Sequence, residues 1–221
     1  KVFKISIDDF YKTRNERNKI SKSIHPLLMI RGVPGTHDYK IIYEFFKKIK
    51  NKKIAKFRLP KFDKSKDERY NKKFWYKIDS KPDVIIFEGW CVGAKSQKNS
   101  KLIKSINSLE KISDQNFVWR KYVNLQLKKN YKNLFKQIDE IIYLKANNFK
   151  ILQKWRIKQE KVLWLKSKNK RSLRIMNRSD IINFMQTYQR ITQNMFKDAP
   201  KYASIVIKLN SNHQINSIKF K

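Results

Sequence analysis

Pro82-Asp-Val-Ile-Ile-Phe-Glu-Gly89 contains Val84–Phe87, an unbroken apolar run of four residues in this 221-residue chain, and no apolar run in it is longer. Four apolar residues held between Pro82 and Gly89 predict a short strand over Asp83–Phe87, buried on both faces as in a parallel sheet. Upstream, Lys1–Ile7 alternates apolar and polar residues and stops at Asp8-Asp9, which predicts a second strand entering a polar turn. Downstream, Glu140–Leu144 predicts a third, and Tyr202–Leu209 a late one. Helices fall between them. Thr13 and Glu16 have the spacing of a capping box, with a helix after them that ends by Pro26 or near Arg31. Asp38–Lys50 places Ile41, Ile42, Phe45, Phe46 and Ile49 on one helical face. Gln115–Ile138, Phe149–Lys166 and Ser179–Phe196 complete the set. Ile54–Leu59 suits a strand, and Pro60–Tyr76 reads as a charged loop. Strands alternating with helices predict an α/β fold with a largely parallel sheet that includes Lys1–Ile7, Asp83–Phe87 and Glu140–Leu144. No linker divides the chain, so residues 1–221 read as a single domain.

Hydrophobic residues make up 40% of the chain and aromatics 13%, enough to build a core. The lone Cys91 excludes a disulfide framework, and three histidines make a multi-histidine metal site improbable. Four apolar residues cannot span a bilayer, and no signal peptide follows Lys1, so neither membrane insertion nor export is expected; the cytoplasm is the expected compartment, or a plastid if the source is a plant or alga. Lys and Arg number 53 against 18 Asp and Glu, a net charge of 53 − 18 = +35. That excess is spread over every segment, in company with abundant Lys, Ile, Asn, Phe and Tyr. A nucleic-acid surface needs localised charge. Compositional drift is the better reading, and a nucleic-acid partner is not expected.

Ligands of parallel α/β sheets sit beyond the carboxyl ends of the strands, where Asp8, Asp9 and Glu88 stand. The only four glycines cluster nearby in two segments, Arg31-Gly-Val-Pro-Gly-Thr-His-Asp38 and Phe87-Glu-Gly-Trp-Cys-Val-Gly93. In so glycine-poor a chain, this clustering predicts two loops of special backbone geometry, each beside a carboxylate.

These segments resemble the D-glycerate 3-kinases of the plant and cyanobacterial type. The likeness runs through Ser6-Ile-Asp-Asp-Phe-Tyr11, His25-Pro-Leu-Leu28, Arg31–Asp38, and Leu59-Pro-Lys-Phe-Asp-Lys64 with Asp67 and Arg69. It continues through Val84–Ala94, Trp119-Arg-Lys-Tyr-Val-Asn124, Trp155-Arg156 with Gln159-Glu160, and Tyr188 with Arg190 and Thr192. Wider relatives are the P-loop kinases of small metabolites, such as uridine and pantothenate kinases. The resemblance implies a P-loop-type parallel sheet flanked by helices, and transfer of the ATP γ-phosphate to D-glycerate with Mg²⁺.

It further implies Asp8 as the acid that orients or deprotonates the attacking hydroxyl, and Glu88 as the Mg²⁺ ligand, directly or through water. Arg31, His37 and Asp38, with Asp63, Lys64 and Arg69, would face the substrate or developing phosphate charge, Arg31 pairing with the glycerate carboxylate. Arg156 would reach the phosphates from a lid around residues 149–175. Trp155 and Trp164 read as core packing. The family's G-x-x-x-x-G-K-[ST] loop should precede Ser6, yet residues 1–221 contain none. Either it lies upstream of Lys1 or it has been lost, and little turnover is expected of these residues alone. Two alternatives stay open: a related kinase of another small hydroxyl compound, and a non-catalytic binding protein.

Overall fold

A computed structural model describes residues 1–51, 57–166 and 176–221, and divides the chain into two compact units. One comprises Lys1–Ser105 and Ser113–Asp139. The other comprises Ile106–Ile112 and Glu140–Lys221.

The first unit begins with β1 (Val2–Ser6), helix α1 (Arg14–Ser23) and helix α2 (Tyr39–Lys50). Thr13 and Glu16 form both hydrogen bonds of the capping box at the start of α1. Helix α2 buries Ile42, Phe45 and Phe46, as its periodicity predicts. Four short strands follow: β2 (Phe57–Leu59), β3 (Phe62–Asp63), β4 (Glu68–Arg69) and β5 (Tyr76–Ile78). β2 pairs with β5 and β3 with β4, both antiparallel. The segment read as a charged loop is therefore folded in part. Strands of two or three residues are too short to print an alternation, which is why the sequence hid them. Ile54 lies outside the described residues.

β6 (Val84–Glu88) pairs with β1 in parallel, in a register running from Val2–Val84 to Ser6–Glu88. A long helical stretch closes the unit: α3 (Val118–Gln126), a π-helical turn (Leu127–Tyr131) and a helical turn at Lys132–Phe135. The predicted helix Gln115–Ile138 is thus present but interrupted.

The second unit holds β7 (Ile142–Ala146), α4 (Phe149–Lys166), α5 (Arg178–Tyr202), β8 (Ile205–Leu209) and β9 (Ile215–Phe220). β7 pairs with β8 in parallel, and β8 with β9 antiparallel. Every residue of β9 is exposed, and its sequence lacks the alternation that would have marked it as a strand. Helix α5 starts from a second capping box, Asn177 with Asp180, and extends past the predicted Phe196 to Tyr202. Trp155 does not lie in a core: it stacks on His213 at 4.0 Å and donates to the Ser211 carbonyl. The side chain of Trp164, and the 167–175 portion of the expected lid, lie outside the described residues.

The expectation of one sheet containing β1, β6 and β7 is not met. β1 and β6 form one sheet, and β7 belongs to another with β8 and β9. Among the described residues, β6 is paired only with β1, and β7 only with β8. This also corrects the expectation that β6 is buried on both faces. Val84 and Ile86 are 51% and 49% exposed, and Ile142 and Leu144 of β7 are both 60% exposed.

The segment Ile106–Ile112 is tied to α5 by Glu110 and Arg190, both buried. The guanidinium donates Nε to Oε1 at 2.7 Å and Nη2 to Oε2 at 2.6 Å. Removing one partner of a buried pair leaves the other as an uncompensated charge. Glu110→Gln is expected to lower the unfolding free energy by about 3–5 kcal/mol in urea titration. A loss below about 1 kcal/mol would show that the pair is not what holds this segment.

Candidate functional site

Parallel pairing of β1 and β6 brings their carboxyl ends to one edge. Glu88 is the last residue of β6, opposite Ser6, and Asp8 lies two residues beyond Ser6. The chain turns there into a short 3-10 segment, Ile7–Phe10, capped by the Ser6 hydroxyl, which accepts from the Asp8 amide at 3.3 Å. Because Ser6 supplies the cap, the Asp8 carboxylate is released for other partners.

Those partners are Tyr11 and Lys64. The Tyr11 hydroxyl donates to Oδ1 at 2.7 Å and the Lys64 ammonium to Oδ2 at 2.7 Å. Burial works to raise the Asp8 pKa, but the charge and hydrogen bond of Lys64, helped by Tyr11, outweigh it and hold the carboxyl below its usual range. Asp9 differs. Burial raises its pKa against the hydrogen bond it accepts from the Phe62 amide at 3.2 Å, with the Asp8 charge adding to the rise. Asp9 thus ties β3 to the turn, while Asp8 is kept ionised. Glu88 is exposed, and its carboxylate makes no hydrogen bond or ion pair among the described residues.

The loop Arg31–Asp38 is laced to this turn. The Lys12 amide donates to the Thr36 carbonyl at 2.8 Å and the Asp38 amide to the Phe10 carbonyl at 2.7 Å. Tyr11 and His37 are bridged through their backbones, and their rings stack at 4.7 Å. His37 is wholly buried. Its Nδ1 lies 2.7 Å from the Tyr131 hydroxyl, and its Nε2 has no partner among the described residues. Both glycine-bearing loops have the special geometry their composition predicts. Gly35 has φ +103°, and a Cβ there would lie 2.6 Å from Tyr122 Cε1. A Cβ on Gly89 would lie 2.3 Å from Ile7 Cγ2.

The remaining predicted residues divide. Arg69 donates to the Tyr11 carbonyl at 2.7 Å and to Asp38 Oδ2 at 3.2 Å, so it and Asp38 join the same cluster. Arg31 forms a short ion pair with Asp67, donates to the Lys64 carbonyl at 3.3 Å and lies over the Phe62 ring. Asp67 also pairs with the buried Arg17 at 2.8 Å. Asp63 accepts from the Ser65 hydroxyl and amide and the Lys66 amide, closing the β3–β4 turn, and its carboxylate is engaged there. Arg156 belongs to the second unit, where it forms a short ion pair with Glu160 one turn along α4. Among the described residues, no group of three or more His, Cys, Asp or Glu side chains could hold a metal ion. Tyr11 and Tyr131 escaped sequence reasoning as site residues. Tyr11 stood in a quoted motif, and Tyr131 at core spacing on a helix, so only the fold reveals their hydroxyls as partners.

Burial lowers the His37 pKa to about 4, against the pull of Asp8. An unfolded histidine titrates near 6.5, so below that pH the unfolded chain takes up a proton that the fold refuses. The stability from neutral His37 is present above pH 6.5 and lost as pH falls toward 4, by about 2–3 kcal/mol at pH 4.5. Urea unfolding at pH 7 and 4.5 is expected to show this loss, and His37→Gln to remove it. Equal pH dependence in parent and variant would exclude a neutral buried ring.

No family model matches the chain. The uncharacterized kinase mug58 of Schizosaccharomyces pombe is 28% identical over 195 residues, covering 85% of this chain and 67% of its own. The chloroplastic D-glycerate 3-kinase of Arabidopsis thaliana is 27% identical over 164 residues, covering 71% of this chain. The match takes in only 34% of that relative, about a third of its length. The solved D-glycerate 3-kinase of Cryptococcus neoformans superposes with a TM-score of 0.78 at 24% identity, over 100% of this chain and 80% of the other. The chain is related to the D-glycerate 3-kinases and shares their α/β fold.

Proposed function

We propose that this chain carries the substrate-binding and acid–base half of a kinase that transfers the ATP γ-phosphate to D-glycerate, giving 3-phosphoglycerate. The carrying observation is Asp8: an ionised, largely enclosed carboxylate at the carboxyl edge of a parallel ladder, gripped by Lys64 and Tyr11. The relation to a D-glycerate 3-kinase supplies the substrate class. Phosphoryl transfer asks the protein mainly for positioning and charge stabilisation. In this reading Asp8 accepts the proton of the attacking hydroxyl as its oxygen bonds to the γ-phosphorus and the bond to the ADP oxygen breaks. Lys64, 62% exposed, is placed to exchange its grip on Asp8 for a phosphate oxygen. Arg31 serves the glycerate carboxylate while Asp67 steadies its guanidinium. Asp38 and Arg69 hold the loop to the turn, Arg69 through the Tyr11 carbonyl.

Mg²⁺ favours one or two carboxylates together with water and phosphate oxygens. Glu88, unpartnered at the same edge as Asp8, fits that donor set and would hold the ion, which supplies charge neutralisation at the phosphates. Arg156 would serve as a phosphate contact. The residues present do not build the backbone cradle that ATP phosphates need, since none of the four glycines lies in a G-x-x-x-x-G-K-[ST] loop. Residues 1–221 alone are therefore expected to bind D-glycerate without turning it over.

A longer form carrying such a loop ahead of residue 1 is expected to phosphorylate D-glycerate with Mg-ATP. In that form Asp8→Asn is expected to lower kcat by about 10²–10⁴-fold with a smaller change in KM. Arg31→Ala is expected to raise the KM for glycerate by the worth of a charge-assisted pair, about 1.5–3 kcal/mol. Steady-state kinetics against glycerate and a nucleoside decide the substrate. A protein that phosphorylates only the nucleoside, or an Asp8→Asn variant at full kcat, would end this reading.

A further inference from the structure

Two features lie beyond the roles assigned above. One is the buried Nε2 of His37, which has no partner among the described residues. The other is the π-helical turn Leu127–Tyr131, a rare geometry that interrupts an otherwise α-helical stretch. They meet at Tyr131, which is completely buried. Its hydroxyl oxygen lies 3.1 Å from the Gly35 amide nitrogen and 2.7 Å from His37 Nδ1.

An account of the hydrogens fixes the direction of these bonds. The Gly35 amide has only a hydrogen to offer, so the Tyr131 oxygen accepts there. The phenolic hydrogen then has His37 Nδ1 as its acceptor, which requires a lone pair on Nδ1. A neutral imidazole with a bare Nδ1 carries its hydrogen on Nε2. The opposite tautomer would bury the Tyr131 hydrogen without an acceptor and the Nε2 lone pair without a donor. That leaves two unsatisfied groups instead of one, and each such group is costly. The π turn makes the geometry possible. Each residue along an α-helix turns the face by roughly 100°, so the extra residue in this turn changes the direction in which the helix presents Tyr131.

We propose that Tyr131 is a positioning residue that fixes His37 as the Nε2–H tautomer, so that the ring presents a buried N–H donor to a carboxylate or hydroxyl oxygen of the substrate. This rests on the reading of Arg31–Asp38 as the substrate loop. The other supports of the ring agree with it. Tyr11 stacks on one face and passes its hydroxyl hydrogen to Asp8, so donor and acid are held by one frame. Gly35, whose close approach to Tyr122 leaves no room for a side chain, brings its amide to the Tyr131 oxygen. The low pKa of His37 keeps the ring neutral near pH 7, where a tautomer is defined.

The test is a two-bond ¹H–¹⁵N correlation spectrum of residues 1–221 labelled in histidine, which separates protonated from bare ring nitrogens. His37→Gln identifies the His37 signals by their loss. The expected pattern is a protonated Nε2 and a bare Nδ1, giving way in Tyr131→Phe to signals averaged between tautomers. A protonated Nδ1 in the unaltered chain overturns the proposal; His25→Gln and His213→Gln assign the remaining signals independently, should His37→Gln fail to fold. An unchanged pattern in Tyr131→Phe overturns it as well. Titration with D-glycerate supplies the second arm. Tyr131→Phe is expected to weaken binding about fivefold, the worth of one hydrogen bond, and this effect is expected to vanish in a His37→Gln background. A Tyr131 effect that persists at full size in that background overturns the route through His37. The tautomer is read without ligand, so a failure of D-glycerate to bind counts against the assigned substrate and not against Tyr131.

Discussion

The parallel ladder between β1 and β6 is the constraint on which the rest of the first unit depends. Pairing Ser6 with Glu88 sends both chains out at the same edge, and no antiparallel arrangement of these strands would do so. From that edge the turn at Asp8 can be laced to Arg31–Asp38, and the loop in turn to Tyr131. Every polar contact of the candidate site is then a short reach from a backbone already fixed by the ladder. The ion pairs of Arg69 with Asp38, and of Asp67 with Arg17 and Arg31, add charge-assisted bonds that hold the loops at this edge.

Much of this frame was legible in the sequence because it rests on local signals. The Thr13–Glu16 box, the α2 face of Ile42, Phe45 and Phe46, and the strands at Val2–Ser6 and Val84–Glu88 follow from spacing alone. The four glycines marked two loops because the rest of the chain nearly lacks them. The joining of strands into sheets was not legible in the same way. Val84–Phe87 is apolar throughout whether one or both of its edges are paired, so its sequence does not reveal that β7 lies in a different ladder. The roles within the acidic pair Asp8-Asp9 likewise depend on groups far along the chain. Lys64 selects Asp8, and the Phe62 amide selects Asp9. β9 stayed hidden because a strand exposed on every residue carries no alternation to read.

The site is economical in how it uses its aromatic rings. Tyr11 stacks on His37, meets Phe62 edge-on at 5.2 Å and donates to Asp8. Tyr131 meets His37 edge-on and reaches the Gly35 amide. Each ring contributes apolar area to the core while its hydroxyl settles a polar group that burial would otherwise leave unmatched. Their conversion to phenylalanine would therefore keep most of the packing and lose the directional bonds, which separates the two contributions experimentally.

Among the described residues, β6 and β7 each keep one side unpaired, which bears on how these residues behave in concentrated solution. Each offers a row of backbone donors and acceptors with half-exposed Val84, Ile86, Ile142 and Leu144 alongside, the surface on which a strand from another molecule can add. The net charge of +35 opposes such encounters through mutual repulsion between molecules. That repulsion fades once the ionic strength shortens the screening length to about 10 Å or less, as at 0.1 M salt. Drift in composition, whatever its origin, thus leaves this chain with a repulsion that opposes edge-to-edge association to a degree set by the ionic strength of its surroundings.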